Sequence, residues 1–176
     1  KAKECYDRIL AENPDDEYIH VSLAEYYKAV AQPRKAYDEL RIALGQKSLS
    51  TSSKLHILTN FYTNEEFYGI YSKYTYDLLE VAMRNCDDST TFAGLYGDVL
   101  MRQRRYDEAA HQFALYLTRD SSRYEVWEAL LVSELSAYTD TAALGRDARR
   151  ASALFPLHPL PYYMQAVVEH YNGRYE

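Results

Sequence analysis

An internal period of about 34 residues constrains this chain more than any other feature, because repeats of that size cannot bury an apolar face alone and must stack on one another. Ala2 and Ala36 stand 34 residues apart, each followed four residues later by a larger apolar residue, Tyr6 and Leu40. The same pair recurs at Ala109 and Phe113, 73 residues on from Ala36, which is two periods with a small insertion. A second landmark is a small residue framed by apolar neighbours: Ala24, Thr59, Gly97, then Leu131 as a poor match, then Ala166, at intervals of 35, 38, 34 and 35. A turn tyrosine recurs at Tyr106 and Tyr175, 69 residues apart. Three landmarks agree on one period.

Within a repeat the apolar spacing is helical. Leu23, Ala24 and Tyr27, then Ala36, Leu40 and Ala43, fall on the inward stripes of two successive helices. The breaks carry cap chemistry: Asn13-Pro14-Asp15-Asp16, Ser50-Thr51-Ser52, Asp87-Asp88-Ser89 and Asp120-Ser121-Ser122 supply side-chain oxygens for the free amides of the next helix. Pro33 marks the turn inside the first complete pair. The spacing therefore predicts helix pairs at 17–50, 51–89, 90–123 and 124–158, flanked by a partial repeat at 1–16 and another at 159–176. That makes ten helices and no strand, in one continuous solenoid domain. Ala24, Gly97 and Ala166 are expected to be buried where paired helices cross, and Leu131 to loosen its crossing. The repeat at 51–89 is about five residues too long, and its surplus near Thr63 to Gly69 reads as a longer connector. The chain opens at Lys1 rather than Met and both ends fall inside a repeat, so the expectation is a piece of a longer array that continues in both directions.

Composition narrows the function classes. The 47% of hydrophobic residues suffices for a packed core. A net charge of −6 removes the basic footprint of a protein that grips phosphates, so no nucleic acid partner is expected. No apolar run approaches the roughly 18 residues of a membrane span, so no membrane insertion of this segment is expected. Cys5 and Cys86 match neither a disulfide framework nor a zinc site and read as two buried free thiols. The phosphate-loop, dinucleotide-binding, zinc-protease and serine-hydrolase signatures are absent from the sequence, and the five histidines contain no i,i+4 chelating pair. No catalytic residue, cofactor or metal is expected. Asp15-Asp16 and Asp87-Asp88 read as helix-start charges; Arg102, Arg104 and Arg105, followed by Asp107-Glu108, read as the cap arrangement that two helix dipoles prefer. Arg146, Arg149 and Arg150 read as a solvated helix face. Phe61, Tyr62, Phe67, Tyr68, Tyr71, Tyr74 and Tyr76 crowd the overlong repeat, either filling the gap beside the connector or forming a partner patch.

These features resemble the tetratricopeptide repeat (TPR) family, whose helix-turn-helix motif reads W-x2-L-G-x2-Y, A-x3-F and a terminal Pro. Leu23-Ala24-x2-Tyr27 with Ala36-x3-Leu40 matches, as do Gly97 with Ala109-x3-Phe113, and Trp127-x2-Leu130 with Ala151 and Pro156; Pro14 closes the repeat of Ala2 and Tyr6. The resemblance implies a right-handed α-α superhelix and a non-enzymatic scaffold or adaptor that holds an extended peptide or partner protein on its first helices. Carried onto this chain, the partner-facing stripe is Tyr18, Val21, Glu25 and Lys28; His56 and Asn60; Thr91, Asp98 and Arg102; Glu125, Glu128 and Val132; and Tyr163, Val167 and His170. In one TPR subclass a Lys-Asn-Arg clamp holds a free C-terminal carboxylate, and only Asn60 resembles a member of it. Glu25, Asp98, Glu125 and Glu128 against Lys28 and Arg102 favour a neutral or basic segment instead. Two other classes stay open: a regulatory TPR segment of a larger enzyme, and a self-associating scaffold joined through exposed end helices. Tyrosine-rich TPR chains are similar to bacterial cell-envelope proteins, which leans the compartment toward the periplasm or outer membrane over the cytoplasm.

Overall fold

The computed structural model describes the backbone of residues 2–173 except 14, 15, 17, 64 and 139, and the side chains of those residues except 2 and 63–73. Pro14, Asp15 and Tyr175, and the side chains of Ala2, Phe67, Tyr68 and Tyr71, lie outside that description. The described residues are all-helical, with ten α-helices, one 3-10 turn and no strand. They divide into two compact halves, residues 1–92 and 93–176.

The first half contains α1 (Ala2–Glu12), α2 (Ile19–Ala29), α3 (Pro33–Gly45), α4 (Thr51–Thr63), α5 (Glu65–Arg84) and the 3-10 turn Ser89–Phe92. Pro33 opens α3 at the position where its missing amide costs nothing. Ser50 starts α4 by accepting the Ser53 amide on Oγ at 3.1 Å. The core runs through Ile19, Leu23, Tyr27 and Ala36, with Tyr6, Leu10, Tyr26, Tyr37 and Tyr74 packed against it. The surplus of the second repeat is helix rather than connector: α5 runs for 20 residues and begins only two positions after α4 ends. Of the crowded aromatics, Phe61 and Tyr62 are buried and Tyr74 and Tyr76 half-buried. Tyr74 stacks on Tyr37 with ring centroids 4.3 Å apart. The Tyr37 hydroxyl donates to Asp77 at 2.5 Å, and burial followed by that carboxylate pushes the phenol up to about 12. Lys54 is fully buried on α4 and donates its Nζ to the Asn85 carbonyl just beyond α5. Burial draws its pKa below the ordinary lysine value, while the carbonyl end of a helix is a favourable place for the charge. The thiols differ from the expected buried pair. Cys5 is free and exposed on α1, and Cys86 is free and half-buried, its Sγ donating to the Met83 carbonyl at 3.2 Å.

The second half contains α6 (Ala93–Arg102), α7 (Tyr106–Leu117), α8 (Tyr124–Ala137), α9 (Thr141–Leu154) and α10 (Pro159–Tyr171). Gly97 is buried against Phe113: a Cβ built on it would lie 2.6 Å from the ring. Trp127 is fully buried at the front of α8, its Nε1 donating to the Ser121 carbonyl at 2.9 Å. Leu131 takes the place of a small residue and is itself fully buried. Where α7 buries Ala109, Phe113 and Leu117, α9 buries Leu144, Ala148 and Ala151. The crossing is still looser, since α8 and α9 approach each other less closely than α6 and α7. Ala166 departs from expectation by being exposed. The faces of α10 in use hold Pro161, Met164 and Val168 against α8 and α9, and no described helix follows to cover the opposite side.

Backbone geometry carries the same register. Positive φ occurs at Ala31, Arg104, Tyr138 and Gly173, each seven residues after Ala24, Gly97, Leu131 and Ala166. At the end of α2 the Ala31 and Gln32 amides reach the Lys28 and Tyr27 carbonyls; at the end of α6 the Arg104 and Arg105 amides reach Met101 and Leu100 in the same pattern. This is the Schellman closure, which normally takes glycine. Arg104 is exposed and in a left-handed conformation at φ 60. Arg104→Gly is therefore expected to raise stability by about 0.5–1 kcal/mol, the left-handed penalty less the entropy cost of glycine, measured by urea unfolding.

Candidate functional site

None of the fifteen residues assigned to the partner-facing stripe is buried; each is exposed or half-buried. In the first half, Tyr18 precedes α2, while Val21, Glu25 and Lys28 lie on it. Lys28 pairs with Glu25 at 3.4 Å and its Nζ stands 4.8 Å over the ring of Phe61, which ties α2 to α4. His56 and Asn60 share a face of α4, with Asn60 Nδ2 and His56 Nε2 at 3.2 Å. Thr91 sits in the 3-10 turn ahead of α6 rather than on a first helix.

In the second half α8 packs against both α6 and α10, so three first helices lie together. They bring Asp98 and Arg102, then Glu125, Glu128 and Val132, then Tyr163, Val167 and His170. Tyr163 is 60% exposed, an aromatic face left to solvent. Asp98 keeps an exposed surface, yet loss of water around its carboxyl raises its pKa, opposed by Arg102 and Arg123. Arg123 also stands 3.9 Å from Glu125, too long and too exposed to neutralise it firmly. Three carboxylates against Arg102 and Arg123 leave this face with a net negative charge.

A feature the motif search missed lies between α7, α8 and α9. Asp107, His111, Glu134, Asp140 and Asp147 line a cavity of about 320 Å³ floored by alanines. Glu134 Oε2 is buried without a hydrogen-bond partner, and the carboxyl is pushed up to about 8 by burial first, then by the charge of and hydrogen bond to Asp147, then by Asp140, with Arg146 opposing. Asp147 is held by Arg150 at 3.0 Å, and Asp140 caps α9 through the Ala142 and Ala143 amides. The signal was illegible because the acids come from three helices, with no fixed spacing. Its consequence is a pH dependence. A carboxyl whose folded pKa stands above its ordinary value of 4.5 takes up its proton preferentially in the folded state, so stability falls as pH rises from about 4.5 to about 8. Glu134→Gln, which fixes the neutral form, is expected to flatten that fall in urea midpoints measured across the window.

A second recess of about 400 Å³ next to the start of α4 and the end of α5 is lined by Lys47, Ser50, Thr51, Arg84 and Asp87, among others, and holds charges of both signs. Among the described residues no group of three or more His, Cys, Asp or Glu could hold a metal ion, and no helix is long and apolar enough to cross a membrane. A scan against protein-family models finds no match, and a search of curated proteins finds no significant one.

Proposed function

We propose that this chain is a TPR-like, non-enzymatic protein-interaction module that holds an extended, neutral or basic segment of a partner on its first helices. The observation that carries the reading is the α6–α8–α10 face, where Asp98, Glu125 and Glu128 outnumber Arg102 beside exposed Tyr163. Carboxylates on such a face steer basic groups and repel acidic ones, while a solvent-facing tyrosine offers apolar area at low entropy cost. A free terminal carboxylate approaching this face would meet an acidic field, so carboxylate capture is disfavoured.

The test is a titration of peptides differing only in charge and end group, followed by calorimetry or fluorescence anisotropy. A basic, amidated peptide is expected to bind tighter than its acidic, free-carboxylate counterpart. Glu128→Lys should reduce that preference about tenfold at low salt, and added salt should reduce it further. Tighter binding of the acidic peptide, unaffected by Glu128→Lys, contradicts the reading.

A further inference from the structure

Helix α8 carries acids on two sides, and only one side belongs to the face described above. Glu134 follows Glu125 by about two and a half helical turns, which puts it on the other side of α8, where it meets α7 and α9. There Ala110 and Ala114 of α7, Ala137 of α8 and Ala143 of α9 line the cavity of about 320 Å³. Side chains this short leave the space between the three helices unfilled. The helices that form it each have a described neighbour on either side: α7 packs on α6 and α8, and α9 on α8 and α10.

Of the carboxyls that line the cavity, all but one are engaged locally. Asp107 stands in the first turn of α7, Asp140 caps α9 through the Ala142 and Ala143 amides with Arg146 at 4.0 Å, and Asp147 is held by Arg150 at 3.0 Å. Glu134 differs. It lies inside α8 rather than at a cap, and its Oε2 is closed off from solvent with no hydrogen-bond partner. That oxygen has lost its water without gaining a donor, a cost that a donor entering the cavity removes. Charge and shape select the donor. Even with Glu134 protonated, Asp107, Asp140 and Asp147 against Arg146 and Arg150 leave the cavity negative, so it repels anions and attracts cations. The alanine floor suits a methylene stem, and among the described residues no group of three or more His, Cys, Asp or Glu could hold a metal ion. A guanidinium fits best, because it is weakly hydrated and its planar fork of donors serves two carboxyls at once.

We infer that this cavity is a docking site for an arginine side chain of a partner polypeptide, its stem on the alanines and its guanidinium on Glu134 and Asp147. The site lies on the side of the second helices α7 and α9. It is independent of the acidic face on α6–α8–α10, and the two readings stand or fall separately.

Titration of the isotope-labelled chain with a blocked Gly-Arg-Gly tripeptide tests it, since amide shifts in proton–nitrogen NMR spectra report which face is occupied. The amides of Ala114, Ala137 and Ala143 are expected to shift and to saturate at millimolar peptide. Citrulline in place of the arginine keeps the shape without the charge and should weaken binding at these amides about tenfold or more, as should Glu134→Gln. Ala114 is exposed, so Ala114→Phe fills the cavity without touching a carboxyl and should abolish these shifts with helix content unchanged by circular dichroism. Should that variant lose helix, Glu134→Gln decides. Glu128→Lys, on the other face, should leave the shifts as they are. Equal binding of the arginine and citrulline peptides overturns the inference, as do shifts confined to the surroundings of Asp98, Glu125 and Glu128. So does occupation of the cavity by spermidine at concentrations where the tripeptide leaves it empty, which would make the ligand a free amine.

Discussion

Trp127→Ala is expected to destabilise the protein by about 3–5 kcal/mol, a large part of what a domain of this size holds in total. The indole is fully buried, donates to the Ser121 carbonyl at 2.9 Å and lies under the Arg150 guanidinium at 5.1 Å. Removing it opens a cavity between helices that cannot collapse, and leaves the Ser121 carbonyl short of a donor at the start of α8. Because this is the single tryptophan of the chain, unfolding should be followed by circular dichroism rather than by fluorescence. Trp127→Phe keeps most of the volume and should cost less. Equal midpoints for Trp127→Ala and the unaltered chain would show that the front of α8 is not packed as described.

Gly97 offers a test of sign as well as size. In an open helix position, glycine to alanine stabilises by about 1 kcal/mol through helix propensity. Here the new Cβ would stand 2.6 to 2.9 Å from three atoms of the Phe113 ring, which is itself 2% exposed and has nowhere to retreat. Gly97→Ala is therefore expected to destabilise despite its better propensity. Gly97→Leu should destabilise further, by about 1–3 kcal/mol from overpacking. A stabilised alanine variant would mean that α6 and α7 cross elsewhere.

The same crossing explains which parts of the fold were legible in the sequence. Ala24, Ala36, Gly97 and Ala109 could be read because close helix packing permits only small side chains there, and the constraint recurs in the α2–α3 and α6–α7 pairs. The turns after α2 and α6 could be placed through Pro33 and the Arg104–Glu108 charges, but their left-handed geometry could not, because Ala31 and Arg104 adopt it without the glycine that usually announces it. Leu131 was legible as a misfit for a small residue, yet the structure buries it completely. The surplus of the second repeat was located correctly and given the wrong conformation: Glu65 to Gly69 continue as helix, with no proline among them to stop it. Ala166 was expected to be buried on a pattern that assumes a following helix. Lys54 gave no warning at all, since its partner is a main-chain carbonyl 31 residues away.

The candidate site divides in the same manner. A stripe of residues on first helices can be projected from spacing alone, and all fifteen of those residues prove accessible to solvent. Its acidity also follows directly from sequence, through Asp98, Glu125 and Glu128. The carboxyl cavity of Glu134, Asp140 and Asp147 draws its lining from α7, α8 and α9 at once, an arrangement that no local pattern records.

Since the repeat register determines which faces are buried and which are free to bind, the most direct test is a double-mutant cycle between Gly97 and Phe113. Urea unfolding of Gly97→Leu, Phe113→Ala and the double variant gives the coupling. If the two residues face each other as the register requires, the leucine fills the space vacated by the ring, and the double variant is more stable than the sum of the single losses by about 0.5–3 kcal/mol. Losses that add to within a few tenths of a kcal/mol would place the two side chains apart and contradict the register.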